Sequence, residues 1–143
     1  MEIKTHKVTK ERIDKISYEI VGAAIEVHKL IGPGLLESVY QKCLKKEFAI
    51  RNLQFSSETI VNTEYKGMEL DVDLRADFFV EGLVVVELKC VEVIIPVHEA
   101  QVLTYMRLFN APKAILLNFY CTNLFHQGQR TFVSEEYRAL PDK

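Results

Sequence analysis

Asp77, Glu87 and Lys89 are the residues of this chain whose types and spacing can do chemistry together. An aspartate near the end of one extended segment, a short turn, then Glu-Leu-Lys on the next can seat a divalent cation. Carboxylate oxygens gather the cation, and the cation offsets the charge of a phosphodiester that water otherwise attacks poorly. An amine then orients or activates the water. Asp-x9-Glu-x-Lys is weak by itself, so its worth depends on the elements that position it.

Leu70, Val72, Leu74 and Ala76 alternate with Asp71, Asp73, Arg75 and Asp77, the pattern of a strand with two unlike faces. Glu81-Gly82 turns the chain. Leu83 to Cys90 is apolar apart from Glu87 and Lys89 and reads as a central strand covered on both sides. Two charges there are costly unless paired or metal-bound. A two-residue turn at Glu81-Gly82 sets Asp77 opposite Val86 and sends Glu87 to the wrong face. A shared site therefore requires a three-residue loop or a β-bulge near Gly82, which pairs Asp77 with Glu87. Glu87 and Lys89, two apart, share a face, and the Leu88 carbonyl is a further oxygen available to a cation.

Helices surround this strand pair. Ile13, Ile16, Ile20, Ala23, Ala24, Val27 and Leu30 or Ile31 recur at three- and four-residue steps, predicting a helix over 10–31 with Thr9 as its N-cap. Gly32-Pro33-Gly34 stops it. A second helix over 35–49 has Leu36, Val39, Tyr40, Cys43, Leu44 and Phe48 on its apolar face, with Glu37 beside that face. Thr59, Val61, Thr63 and Tyr65 predict a strand, closed by a Lys66-Gly67 turn. Pro96 opens a third helix to about Asn110, with Val102, Tyr105, Met106 and Phe109 buried. Ala114–Tyr120 and Gln129–Val133 complete the strands. The polar tail from Ser134 reads as a terminal turn or frayed end. The order is α-α-β-β-β-α-β-β, an α/β fold with a mixed β-sheet flanked by helices, expected as a single domain over 1–143.

On the third helix His98, Gln101 and Tyr105 fall on one polar-edged stripe. Gln101 holds a nucleotide, a phosphate or Lys89, or is an exposed helical glutamine. Glu37 is aimed at a cation or Lys89, or at solvent. Tyr105, His98 and Arg75 are candidates for contacting substrate. His28 reads as a packing or capping histidine, His6 and His126 as surface residues. Lys4, Lys7, Lys10, Arg12 and Lys15, and Lys42, Lys45, Lys46 and Arg51, form basic clusters whose plainer explanation is a solvated helix face.

The chain has 143 residues, 48% of them hydrophobic, enough to build one sizeable core. A formal net charge of −2 argues against tight non-specific DNA binding by a monomer, while leaving a local basic groove open. Cys43, Cys90 and Cys121 are far apart, without Cys-x-x-Cys, and read as buried free thiols in a reducing cytoplasm. The N-terminus is polar, and no run is long enough to span a bilayer, so a cytoplasmic protein without membrane attachment is expected.

The motifs together resemble the GxxExxY protein family, a branch of the PD-(D/E)XK nuclease superfamily. Gly34-Leu35-Leu36-Glu37-Ser38-Val39-Tyr40 matches the signature, preceded by Val27-His28-Lys29-Leu30-Ile31-Gly32-Pro33. Tyr65-Lys66-Gly67, Arg75-Ala76-Asp77, Glu87-Leu88-Lys89, Pro96-Val97-His98, Ala100-Gln101, Thr104-Tyr105 and Leu117-Asn118-Phe119 follow in order, covering roughly residues 10 to 133. The resemblance implies a restriction-endonuclease-like core. It implies that Asp77 and Glu87 are ligands of Mg²⁺ or Mn²⁺, that Lys89 is the catalytic lysine, and that Glu37 and Gln101 are the helix acid and helix glutamine. Asp73-Leu74 replaces the usual glycine-aromatic pair, Asn110 stands where glycine is common, and Gln127-Gly128-Gln129-Arg130 replaces a more basic glycine turn. None of these removes a ligand, although the last lowers the expected affinity for DNA.

The expectation is a metal-dependent nuclease acting on DNA or RNA, alone, as a homodimer or with a protein partner. The alternative is a non-catalytic nucleic-acid- or protein-binding module that keeps the fold. A third possibility, Glu87 and Lys89 as a purely structural buried ion pair, ranks last because such a pair is costly without compensation.

Overall fold

The computed structural model describes residues 7–143, apart from the side chains of Asp71 and Val72. Lys4 and His6 lie outside the described residues, as do the faces assigned to Asp71 and Val72. α1 (Lys10–Ile31) buries Ile13, Ile16, Ile20, Ala23, Ala24 and Val27, the stripe expected from the 3.6-residue period. Thr9 caps it, its side chain accepting the Arg12 N–H at 3.1 Å. Ile31, not the exposed Leu30, completes the apolar face. α2 (Glu37–Ile50) buries Tyr40, Leu44 and Phe48. Leu36 was expected on that face, but it ends as the N-cap residue and is 75% exposed, because the chain before Glu37 is still extended.

β1 (Phe55–Tyr65), β2 (Met68–Val80), β3 (Val84–Lys89), β4 (Lys113–Asn118) and β5 (Gln129–Val133) form one sheet in that spatial order. β3 pairs antiparallel with β2 and parallel with β4, and the remaining pairs are antiparallel, so the sheet is mixed. β3 lies at its centre and buries Val84 to Leu88 in full, as a doubly covered strand must. α1 and α2 cover one face, packing on Phe78, Val80, Val84, Val86, Leu88, Ile115 and Leu117. α3 (Pro96–Leu108) covers the other through Val102, Tyr105 and Met106, against Ala76, Val85, Ala114 and Leu116. This is the expected order, with a π-helical turn (Leu124–Gly128) and a short α4 (Glu135–Ala139) added.

Three local readings change. α3 stops at Leu108 because Asn110 takes a left-handed φ of 51°, a conformation asparagine tolerates better than most residues. The tail is docked, not frayed: the Lys10 and Glu11 N–H groups, orphan donors of the first turn of α1, bond to the carbonyls of Pro141 and Asp142 at 2.9 and 3.0 Å. Asp14 ties it further, accepting from Tyr137 Oη at 2.7 Å and from Lys113 Nζ at 3.1 Å. The three cysteines are free but half-buried, not fully buried.

Candidate active site at the end of the central strands

Between β2 and β3 the chain needs three residues, Glu81, Gly82 and Leu83, to turn. Glu81 and Gly82 take φ of 55° and 64°, and the Leu83 N–H bonds to the Val80 carbonyl at 3.0 Å. Val80 then pairs with Val84 and Phe78 with Val86, so the next step faces Asp77 with Glu87. This is the register the sequence demanded. The backbone ladder ends there, and the carboxylates take over. Glu87 Oε1 accepts the Asp77 N–H at 2.9 Å and Asp77 Oδ2 accepts the Leu88 N–H at 2.8 Å. Leu74 and Ala76 pack with the α3 side, whereas Phe78 and Val80 pack with the α1–α2 side, so strict alternation breaks at Asp77.

Glu87 is only 4% exposed. Burial and the neighbouring Asp77 push its carboxyl up to about 8. Asp77, half-buried, is also raised, first by burial, against the bond from the Leu88 N–H. Two raised carboxyls side by side form a site short of positive charge.

Glu37 enters from the first turn of α2. Tyr40, one turn later, is the anchor: its hydroxyl donates to the Gly32 carbonyl at 2.6 Å and accepts the Leu35 N–H at 3.3 Å. Its ring stacks on Phe119 with centroids 4.3 Å apart. The glutamate and tyrosine of the signature thus divide the work, the tyrosine buried to fix the α1–α2 loop and the glutamate left at the cleft rim. Partial burial raises the Glu37 carboxyl; Lys89 opposes this, Asp77 adds to it, and His98 opposes it. Those influences place Lys89, Asp77 and His98 within electrostatic reach of Glu37.

Lys89, at the end of β3, is half-buried and makes no ion pair with any described residue. The structural ion pair with Glu87 is therefore not formed. His98 accepts the Ile95 N–H on Nδ1 at 3.2 Å, closing the first turn of α3. Gln101 is exposed and reaches only the Tyr105 hydroxyl, at 3.5 Å, so no bond joins it to Lys89. Tyr105 is mostly core. Arg75 grips Asp73 through Nε and a terminal nitrogen at 2.9 and 2.8 Å, which occupies the guanidinium proposed to meet substrate. His28 packs as expected, Nε2 lying 2.8 Å from the Cys121 carbonyl.

Glu58 escaped the sequence reading. It faces Asp77 from β1, where the ladder skips a pair between Ser57↔Phe78 and Thr59↔Ala76. Its φ is 51°, unusual for a non-glycine residue inside a strand. Gln41 of α2 donates to its Oε1 at 2.7 Å, and its charge pushes the Asp77 carboxyl up. From the Lys66-Gly67 hairpin alone, Ser56 would stand opposite Asp77. The register then shifts, since Val61 pairs with Leu74 but Thr63 with Leu70, two steps on one strand against four on the other. No pattern in the sequence signals that shift.

Among the described residues, no three His, Cys, Asp or Glu side chains stand together in metal-binding geometry. The donor set nevertheless suits a hard cation. Asp77 and Glu87 each have one oxygen left by the backbone N–H bonds, and Mg²⁺ commonly takes one or two carboxylates, its remaining ligands being water and phosphate. A sheet flanked by helices on both faces, with acids and a lysine at the ends of adjacent central strands, defines a restriction-endonuclease-like fold. Residues 14–131 match the family model of the PD-(D/E)XK nuclease superfamily, and the chain belongs to that superfamily. Among solved structures, SSO0001 shares 18% identity with a TM-score of 0.53 over 87% of this chain and 61% of that one, a likeness of fold alone. The chain thus spans about three-fifths of that protein. None of the curated proteins matches the chain. Among the described residues no helix is long and apolar enough to cross a membrane.

Proposed function

We propose that the chain is a nuclease dependent on Mg²⁺ or Mn²⁺ that hydrolyses phosphodiester bonds in DNA or RNA. The observation that carries this reading is the buried Asp77–Glu87 pair beside an unpaired Lys89. Two neighbouring carboxyls that burial makes reluctant to ionise become a good site once a cation shares the charge. Asp77 and Glu87 would hold the cation, with the Leu88 carbonyl as a further donor. When bound, the cation supplies Lewis-acid neutralisation of the phosphate. Lys89 Nζ donates hydrogen bonds to the attacking water or a phosphate oxygen and offsets the charge that builds in the transition state. Glu37, on which Lys89 acts more strongly than any other charge, would hold that ammonium near the cation. His98 and Gln101 line the substrate side.

The Gly34-x-x-Glu37-x-x-Tyr40 signature supports placement in the GxxExxY branch, because both of its functional residues have distinct work here. The free thiols suit a reducing compartment, and we assign the activity to the cytoplasm on that ground.

Calorimetric titration with Mn²⁺ tests the site. Wild type binds; Asp77→Ala and Glu87→Ala lose the heat. Plasmid, single-stranded DNA and RNA are then offered with Lys89→Ala as control. Cation binding without Lys89-dependent cutting of any polymer would favour a binding module that keeps the nuclease fold.

A further inference from the structure

We propose that the pocket lined by Pro33, Gly34, Tyr120, Cys121 and Thr122 receives an unpaired nucleobase of the substrate, so that the cleft acts on nucleic acid with single-stranded character. The inference rests on the nuclease reading above and names the substrate class of that same cleft.

The pocket encloses about 310 Å³ and adjoins the acid–lysine cluster through the chain itself. Gly34 lies three residues before Glu37. Asn118 pairs with Lys89 across the parallel strands, and the Phe119 N–H bonds to the Lys89 carbonyl at 2.9 Å. Tyr120 follows directly, so pocket and cleft share the carboxyl ends of β3 and β4, where open α/β sheets bind ligands.

Tyr120 is 47% exposed. Among the described residues it stacks on no other ring and its hydroxyl takes no hydrogen bond. Its backbone is nonetheless fixed. The buried Asn118 accepts the Tyr120 N–H at 3.2 Å and the Val91 N–H at 3.1 Å, and donates to the Val91 carbonyl at 2.8 Å. Gln127 Oε1 accepts from the N–H groups of Thr122 and Asn123 and from the Thr122 hydroxyl. A free aromatic face on a preorganised loop is a stacking platform.

Charge favours a base over a phosphate here. Glu37, Glu58, Asp77 and Glu87 outnumber Lys89 and His98 around the cleft, and Arg75 is spent on Asp73. With few basic side chains beside the cation site to hold further phosphates, stacking has to supply affinity. A base inside a duplex already stacks on both sides and must leave the helix to offer a face to Tyr120.

The test measures binding in EDTA, where no cleavage intervenes, using a short thymidine oligomer, a uridine oligomer of equal length and a blunt duplex. Tyr120→Ala is expected to weaken both single strands about tenfold or more, Tyr120→Phe to bind as wild type, and the duplex to be indifferent to either change. A 2-aminopurine in the thymidine oligomer is quenched by wild type and by Tyr120→Phe, not by Tyr120→Ala. Equal single-strand binding by wild type and Tyr120→Ala overturns the inference. So does a wild type that prefers the duplex or binds neither oligomer. Tyr120-dependent binding without any cleavage removes the nuclease reading and keeps the base pocket, while cation-dependent cleavage indifferent to Tyr120 does the reverse.

Discussion

Asp77 and Glu87 clasp their two strands with crossed bonds, Glu87 taking the Asp77 N–H at 2.9 Å and Asp77 taking the Leu88 N–H at 2.8 Å. Side chains thereby replace backbone at the point where the β2–β3 ladder stops. The arrangement satisfies two backbone donors where the ladder ends and leaves one oxygen of each carboxyl without a backbone donor.

Stability should fall with rising pH when no cation is present. The Glu87 carboxyl is raised from the ordinary 4.5 to about 8, so between those values the folded protein holds a proton that the unfolded chain has released. The stabilisation is full below about pH 4.5 and is lost as pH climbs through 8; the raised Asp77 carboxyl acts in the same sense. A drop in Tm on the order of 10 °C between pH 5 and pH 8 is expected. Glu87→Gln, a neutral stand-in for the protonated acid, flattens the slope. Mn²⁺ restores Tm at pH 8 in wild type alone, since it binds only the folded state. A melting temperature indifferent to pH in wild type would mean that burial does not hold the proton on Glu87 in the folded chain.

Lys89→Met separates chemistry from cation binding. Removing a group that acts on the water or the transition state typically costs about 10²- to 10⁴-fold in rate. Calorimetry on the same variant should still register Mn²⁺, because Asp77 and Glu87 are intact. Simultaneous loss of both properties would make Lys89 a structural residue.

Glu58→Gly should gain stability and lose function together. A non-glycine residue at φ 51° carries strain on the order of 1 kcal/mol that glycine does not. Relief is worth roughly 3 °C in Tm at this chain length. The same change removes a negative charge beside Asp77, and Mn²⁺ affinity is expected to drop about two- to fivefold. Unchanged affinity in a stabilised variant would leave Glu58 a strained surface residue with no part in the site.

Local signals reached most of this fold. The 3.6-residue stripe of α1, the Thr9 cap, the Lys66-Gly67 turn and the apolar run of β3 are each written within a dozen residues. The Asp77–Glu87 register was legible too, because a period of two rules out a regular two-residue turn if both acids are to lie on one side. Glu58 was invisible because its place depends on a two-residue slip elsewhere in the β1–β2 pair. Gln101 and Arg75 show a different limit. Their types fitted a substrate role, but Asp73 holds Arg75 and Gln101 stops short of Lys89, and side-chain competition of that kind has no period to read.

Tyr40→Phe tests whether the loop anchor serves the site. The substitution keeps the ring that stacks on Phe119 and deletes only the hydroxyl that joins the Gly32 carbonyl to the Leu35 N–H. Losing a hydrogen bond of this kind costs about 0.5–1.5 kcal/mol, and leaving the Gly32 carbonyl without its partner can add to that. A fall of a few degrees in Tm is therefore expected. The functional effect should be larger than the stability effect, since Glu37 begins α2 directly after this loop and a small displacement moves its carboxyl away from Lys89. Cleavage should decline while Mn²⁺ binding at Asp77 and Glu87 persists, and Glu37→Gln in the same background should add little further loss. Additive losses in the double variant would show that Tyr40 and Glu37 act independently, and the anchor would then be a matter of folding alone.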